Sequence, residues 1–175
     1  MTKFNDIYEL AADNYGLITS AQAREIGITN KELVQYAKRG KIEHIGQGLY
    51  RLAHYIPPPY DSYAQAVAFI GPEAYLYGES VIAMHELVPT NPTYIHVATP
   101  KRVRKKLPAY MKVIQRIEED DTTVYEGIPS QSVANAIRSC RGRMMDDRLC
   151  DATFAARAKG YLTRAEEQEL LEELS

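Results

Sequence analysis

The segment Thr19–Leu52 constrains the fold most, because two helix-start signals lie close together in it. Thr19 with Gln22, and Thr29 with Glu32, have the spacing of a capping box. In that motif a threonine hydroxyl and a side chain three residues later satisfy free backbone N–H groups. The two helices are predicted to end at Gly27 and Gly40, because glycine readily adopts the left-handed conformation that is common just after a helix. Two helices joined by so tight a turn must cross steeply, as in a helix-turn-helix.

A β-hairpin is predicted directly after the second helix. Two runs rich in apolar and β-branched residues, Lys41–Ile45 and Leu49–Leu52, flank the sequence Gly46-Gln47-Gly48. Because glycine tolerates a positive φ, this sequence favours a hairpin turn. A hairpin in this position is a wing. The segment therefore predicts a winged helix-turn-helix, whose second helix enters the major groove of DNA.

The second helix is predicted to have one polar stripe and one apolar side. Lys31, Gln35 and Lys38 have the i, i+4, i+7 spacing of one helix face. Lysine neutralises phosphates and glutamine pairs with adenine edges, so this stripe fits a DNA-reading surface. A solvated helix face is the alternative, and the wing and the two capping boxes favour DNA. On its apolar side, Leu33, Val34 and Ala37 are predicted to face inward together with Ile26, which precedes the helix.

A first helix is predicted over Phe4–Tyr15, ahead of the helix-turn-helix. Phe4, Ile7, Tyr8 and Ala11 lie at i, i+3, i+4 and i+7, which is the spacing of a single helix face. We expect all four to pack against the helix-turn-helix.

The prolines of Pro57–Pro59 indicate a short, semi-rigid linker, since proline lacks a backbone donor and has a fixed φ. Hydrophobic periodicity begins again after Asp61. We therefore predict a winged helix-turn-helix DNA-binding domain over residues 1–54, a linker over residues 55–60 and a small mixed α/β domain over residues 61–175. The predicted fold class is α+β.

Composition narrows the class of protein further. The 175 residues are 45% hydrophobic, and the net charge of −2 argues against coating nucleic acid through bulk charge. No apolar run is long enough to span a bilayer, and the N-terminus lacks the apolar core of a secretory signal. We expect a cytoplasmic protein without membrane contact. The two cysteines, Cys140 and Cys150, match no zinc-binding spacing.

No catalytic motif is recognisable. His85-Glu86 would need a second histidine at position 89 to form a zinc-protease motif, and Pro89 stands there. The phosphate-binding loop, the dinucleotide fingerprint and the nucleophile elbow are absent. The acidic run Glu118–Asp121 is interpreted as a solvated turn, with a divalent-metal site as the alternative. We predict no enzymatic activity, no catalytic residue, no cofactor and no metal site.

A dense basic run follows a predicted strand in the second half of the chain. No acid interrupts the sequence between residues 101 and 116. Such a run suits a phosphate backbone or an acidic protein surface, and a solvated loop is an equally supported alternative. The predicted second surface for DNA or a partner consists of Lys101, Arg102, Arg104, Lys105 and Lys106.

The order of segments also carries a family resemblance. A capped helix-turn-helix is followed by GKIEHIGQGLYRL, a proline-containing link, PEAYLYGESVIAMHEL and YIHVATPKRVRKK. This order resembles the AbiEi-type abortive-infection antitoxins of type IV toxin–antitoxin systems. The resemblance extends from Ile7 to about Ala136 and rests on a pattern of segments rather than on one invariant motif.

The resemblance implies a phage-defence antitoxin that is also an autorepressor. Its winged domain would bind inverted repeats of double-stranded DNA in its own promoter, as a monomer or weak dimer that is cooperative on DNA. Its C-terminal domain would counteract a nucleotidyltransferase-like toxin without forming a stable complex. At matching helix and wing positions, the implied DNA-binding residues are Thr29, Asn30, Lys31, Gln35, Lys38, Arg39, Gln47 and Arg51.

One departure from a strongly basic DNA-binding domain matters. Residues 1–54 contain seven basic and six acidic side chains, so the predicted winged domain is nearly neutral. Strong operator binding then requires help from the basic run or from cooperativity between protomers. Two alternatives stay open, namely a DNA-targeted nuclease-like enzyme and a ligand-sensing transcriptional regulator without a toxin.

Overall fold

The computed structural model describes residues 2–116 and 118–175. The chain divides into two compact units, Met1–Pro72 and Glu73–Ser175. Both contain helices and a β-sheet, so the predicted α+β class is confirmed. In the described residues, no helix has the length and apolar character needed to cross a membrane.

The N-terminal unit is a winged helix-turn-helix with one added helix. Its elements are α1 (Lys3–Ala12), β1 (Leu17–Thr19), α2 (Ser20–Glu25), α3 (Asn30–Lys38), β2 (Ile42–Gly46), β3 (Leu49–Leu52) and α4 (Asp61–Ile70). Strand β3 lies between β1 and β2 and pairs antiparallel with both. Helices α2 and α3 begin after Thr19 and Thr29, and both predicted capping boxes are present.

One face of this small sheet packs against α1, α2 and α3. Ile18, Tyr50 and Leu52 join residues of the three helices in a single buried cluster. From α1 the cluster takes Ile7 and Ala11, with Phe4 and Leu10 packed at its edge. Tyr8 is 56% exposed, so its predicted burial is wrong. The core-facing side of α1 is therefore shifted away from Tyr8 towards Leu10.

Helix α4 covers the opposite face of the same sheet. Side chains alternate between the faces of a strand, so the buried Leu17 and Leu49 point away from Ile18 and Tyr50. Phe69 of α4 lies against Gly46, where an added Cβ would come within 2.7 Å of the ring. This helix therefore lies in the N-terminal unit, whereas the sequence pattern placed it after the linker. The difference arises because α4 supplies apolar cover that the wing sheet needs.

The C-terminal unit is a mixed five-stranded sheet with four helices in its described part. Its elements are β4 (Tyr75–Leu76), α5 (Glu79–Met84), β5 (Ile95–Thr99), β6 (Met111–Gln115), β7 (Thr122–Tyr125), β8 (Ile128–Gln131), α6 (Val133–Ser139), α7 (Asp146–Ala158) and α8 (Arg164–Leu174). The strand order is β6-β5-β4-β8-β7. The β5–β6 and β4–β8 pairs are parallel, and the other two are antiparallel.

Candidate nucleic-acid interface

Helix α3 is held at its start by hydrogen bonds and along one side by the core. The Thr29 hydroxyl accepts from the Glu32 backbone N–H at 3.2 Å, and the Glu32 carboxylate accepts from the Thr29 N–H at 2.8 Å. Leu33 is fully buried, and Ala37 packs at the edge of the same cluster. These contacts fix the rotation of the helix and so determine which side chains face solvent.

The predicted polar stripe of α3 is exposed. Lys31, Gln35 and Lys38 all face solvent, as do Asn30 and Arg39 beside them. Because an α-helix turns about 100° per residue, Lys31, Gln35 and Lys38 lie along one side of α3, opposite the buried Leu33. This exposed polar surface is called the strip below. Two ammonium groups and an amide on a single strip have the chemistry needed for phosphates and base edges.

Two apolar residues predicted to face the core are instead at the surface. Val34 is 44% exposed and Ile26 is 37% exposed, so their predicted inward orientation is wrong. Val34 lies three residues after Lys31 and four before Lys38, which places it on the exposed strip. Sequence reasoning missed Val34 as a candidate contact residue, although its helical spacing from the two lysines carried that information.

The acidic residue at the start of α3 is neutralised by the first helix. Lys3 Nζ lies 2.6 Å from Glu32 Oε1. The hydrogen bond from Lys3 lowers the pKa of Glu32, and the same hydrogen bond raises the pKa of Lys3. Glu32 therefore carries its charge beside a cation, which reduces the negative potential at the start of α3.

The wing presents Gln47 at its tip. Gln47 is exposed between β2 and β3, and Gly48 after it has a φ of +74°. The register between the two strands shifts at His44 and Gly46, which marks a β-bulge beside the turn. Gln47 is thus presented to solvent at the tip of the wing.

Arg51 is held inside the N-terminal unit. One of its guanidinium nitrogens lies 2.5 Å from Asp61 Oδ1 on α4, and the two side chains are only 13% and 15% exposed. This ion pair fixes α4 to strand β3. The guanidinium is therefore engaged with a carboxylate, unlike the exposed lysines of α3.

The basic run lies in the loop between β5 and β6. Arg102, Arg104 and Lys106 are exposed, and Lys101 pairs with Glu73 at 3.3 Å. Lys105 is half-buried, and burial lowers its pKa. The five predicted residues are thus in one loop but differ in their surroundings.

The acidic run contains one side chain that is not solvated. The Asp120 carboxylate is 2% exposed and lies 3.1 Å from Arg116 Nε. Tyr75 Oη donates to it at 3.0 Å, Gln131 Nε2 at 3.1 Å and Asn135 Nδ2 at 3.0 Å. Burial of Tyr75, and secondarily its hydrogen bond to Asp120, raises the pKa of Tyr75 to about 12. The prediction of a solvated turn is therefore wrong for Asp120, although its acidic neighbours are exposed.

These contacts also bear on the alternative of a metal site. Both oxygens of Asp120 already accept hydrogen bonds from protein donors. Across residues 2–116 and 118–175, no group of three or more His, Cys, Asp or Glu side chains is placed to hold a metal ion. Asp120 is thus engaged in fixing the connection between β6 and β7 to the sheet.

His85 is a packed residue rather than an exposed ligand. It is 5% exposed, and its ring lies 4.2 Å from that of Tyr125 and 4.4 Å from that of Tyr161, centroid to centroid. Burial, and secondarily the charge of Lys159, lowers its pKa to about 4. The imidazole is therefore neutral near pH 7.

Neither cysteine forms a disulfide. Cys140 is buried, and this burial raises the pKa of its thiol to about 12. Such a thiol is protonated near neutral pH and is a poor nucleophile or metal ligand. Cys140 therefore belongs to the packing of the C-terminal unit.

The N-terminal segment is similar to one family of known proteins. Residues 5–53 match the family described as "Transcriptional regulator, AbiEi antitoxin". The predicted AbiEi resemblance is confirmed over this segment, which runs from α1 to the end of β3. The match includes the capped helix α3 and the wing tip. The family is thus one of antitoxin regulators of transcription, and the matched part is the winged helix-turn-helix.

Two further comparisons contribute no argument about function. The crystal structure of the RV2827C protein from Mycobacterium tuberculosis is similar at 14% sequence identity and a TM-score of 0.45. That alignment covers 96% of this chain and 80% of the other. No curated protein matches the sequence.

Proposed function

We propose that this protein is an antitoxin of a type IV toxin–antitoxin operon and a sequence-specific repressor of that operon. The observation that carries the proposal is the exposed strip of Lys31, Gln35 and Lys38 beside a wing, within the segment that matches AbiEi regulators. The helix is fixed by its cap and by Leu33, so its polar side is preorganised for the major groove.

Most of the proposed DNA contacts either neutralise phosphates or reach base edges. Lys31, Lys38 and Arg39 neutralise phosphates, while Asn30 and Gln35 reach base edges. The remaining contacts are Thr29 at the helix start and Gln47 at the wing tip. Arg51 is left out of this set, because its guanidinium is already paired with Asp61.

The operator is proposed to be an inverted repeat of double-stranded DNA in the promoter. Each half-site takes one N-terminal unit, so two protomers bind side by side. The unit contains nearly equal numbers of basic and acidic residues, and its phosphate contacts are correspondingly few. Cooperativity between two protomers on DNA then supplies affinity that one protomer lacks.

The antitoxin role is assigned to the C-terminal unit and to a nucleotidyltransferase-like toxin. Support comes from the antitoxin description of the matching family. A binding role rather than catalysis is favoured by Asp120, whose carboxylate accepts hydrogen bonds from three side chains and forms an ion pair with Arg116. We expect antagonism of the toxin without a stable complex.

A gel-shift titration with the DNA upstream of the gene tests operator binding. Lys31→Ala/Lys38→Ala should weaken the specific shift and reduce the slope of log affinity against log salt by about 2, since each lost phosphate contact removes about 0.9. Arg141→Ala/Arg157→Ala is the matched control, because it removes the same charge from arginines already paired with glutamates. An unchanged salt slope in the lysine variant would contradict the proposed interface.

Co-expression with the adjacent toxin tests the second role. The Lys31→Ala/Lys38→Ala variant should still relieve growth inhibition, because its C-terminal unit is intact, while repression of the promoter is lost. A tagged antitoxin should not retain the toxin during purification. Loss of toxin relief in a variant that is folded would contradict the assignment of this role to the C-terminal unit.

A further inference from the structure

The loop between β5 and β6 presents three cations on its solvent side. Arg102, Arg104 and Lys106 are exposed, and the residue that follows each of them is half-buried. This alternation directs the three charged groups outwards, while Val103 and Leu107 pack towards the unit. The loop thus presents a row of three cations, which consists of Arg102, Arg104 and Lys106, on a segment whose other side chains are half-buried.

The charges of this row are not neutralised nearby. Within the described residues, no ion pair is formed by Arg102, Arg104 or Lys106, whereas the neighbouring Lys101 pairs with Glu73. The sequence from 101 to 116 contains no acid. Alternate Cα atoms are at most about 7 Å apart, so the row concentrates three positive charges along a short line.

A nucleic-acid backbone fits this row better than a protein surface does. Protein interfaces are centred on buried apolar and aromatic side chains, whereas the exposed residues between Arg102 and Lys106 are all cations. A nucleic-acid strand repeats one negative charge per nucleotide, and cations alone suffice to bind it. Two of the three groups are guanidinium forks, which match phosphate oxygens in pairs.

We propose that Arg102, Arg104 and Lys106 bind the phosphodiester backbone of a nucleic acid, without reading its sequence. This site belongs to the C-terminal unit and is separate from the strip on α3. It gives the protein a contact with nucleic acid that does not depend on an operator. The row also compensates for the near-neutral charge of the N-terminal unit.

The test is a salt series of fluorescence anisotropy titrations with the full-length protein. The probes are labelled double-stranded DNA, single-stranded DNA and single-stranded RNA of random sequence. All proteins carry Lys31→Ala/Lys38→Ala, so that α3 contributes little. The test variant adds Arg102→Ala/Arg104→Ala/Lys106→Ala. The control adds Arg141→Ala/Arg157→Ala/Arg164→Ala, which removes the same charge from another part of the unit.

The expected result is weaker binding of at least one probe by the test variant than by the control. Its salt slope should be smaller by about 2 to 3, since three contacts contribute about 0.9 each on a duplex and about 0.7 each on a single strand. The probe that responds identifies the kind of nucleic acid. Circular dichroism melting curves check that both variants are folded.

Equal affinities and equal salt slopes of the two variants on all three probes would overturn the proposal. This outcome is distinguishable from failure of the repressor proposal, because operator binding is measured separately by the specific gel shift in proteins with the loop intact. A variant without the loop cations that still shifts its operator specifically supports two separate contact sites.

Discussion

The two units differ in the polarity of their buried residues. Within residues 2–116 and 118–175, the polar residues that are buried as whole residues all lie in the C-terminal unit, namely Ser80, His85, Thr99, Ser130, Gln131 and Thr153. The described core of the N-terminal unit is apolar. A buried polar group is costly unless it is hydrogen-bonded, and the five buried polar residues other than His85 have such bonds. The C-terminal unit therefore depends on specific pairings, while the N-terminal unit depends mainly on packing.

The largest effect that this comparison predicts follows from Asp120→Ala. Removing the carboxylate leaves Tyr75, Gln131 and Asn135 without their shared acceptor and Arg116 without its ion-pair partner. We expect a loss of about 3 kcal/mol or more in the free energy of unfolding. Hydrogen exchange, read by peptide, should show the loss in residues 73–175 and leave the N-terminal unit protected.

Glu119→Ala is the matched control for this variant. Glu119 belongs to the same acidic run but is exposed, and its removal should change the free energy of unfolding by less than about 0.5 kcal/mol. If Asp120→Ala behaved like Glu119→Ala, the polar network would not stabilise the C-terminal unit, and the contrast between the two cores would lose its energetic meaning.

The same contrast explains what the sequence could predict. The capping boxes of Thr19 and Thr29 join residues three apart, so spacing alone identified them. Gln131 instead bonds to Gly78, Asp120 and Ser139, and the first of these is 53 residues away. No local pattern reveals such a pairing. For this reason the winged motif was predicted correctly, whereas the role of Asp120 was not.

Helix α4 shows a second limit of local reasoning. Its helical pattern after Asp61 was legible, and the prolines before it suggested a domain boundary. Its partners are Gly46 and Arg51, which lie in the wing. Whether a helix covers one sheet or another is decided by tertiary contacts, so the sequence predicted the helix but not its unit.

Lowering the pH is predicted to have an effect of intermediate size on the free energy of unfolding. The pKa of His85 is lowered to about 4 in the folded protein, below the ordinary value of 6.5, so the unfolded chain binds more protons between these values. Stability contributed by neutral His85 is therefore present at pH 7 and is lost as the pH falls below about 6.5. Between pH 7 and pH 5 the loss should be about 2 kcal/mol.

Urea unfolding at both pH values tests this expectation. His85→Phe keeps a ring between Tyr125 and Tyr161 but cannot be protonated, so its stability should fall less between pH 7 and pH 5 than that of the wild type. His44→Gln, at an exposed position in the N-terminal unit, should keep the wild-type dependence. Identical pH dependence in wild type and His85→Phe would show that His85 is not protonated on unfolding.

The smallest effect on stability is predicted for Val34→Ala. Val34 is exposed on α3, so its truncation should change the free energy of unfolding by less than about 0.5 kcal/mol, whereas Leu33→Ala should cost about 2 to 5 kcal/mol. Comparable losses in the two variants would place Val34 in the core, as its apolar character first suggested.

Val34→Ala should nevertheless weaken operator binding. If α3 enters the major groove as proposed, the exposed Val34 between Lys31 and Lys38 can contact a thymine methyl group. Replacing thymine by uracil at single operator positions should then weaken the wild type at one position and have no further effect there on Val34→Ala. If the two substitutions instead acted independently at every position, Val34 would face solvent on the DNA, and recognition would rest on the polar residues of the strip.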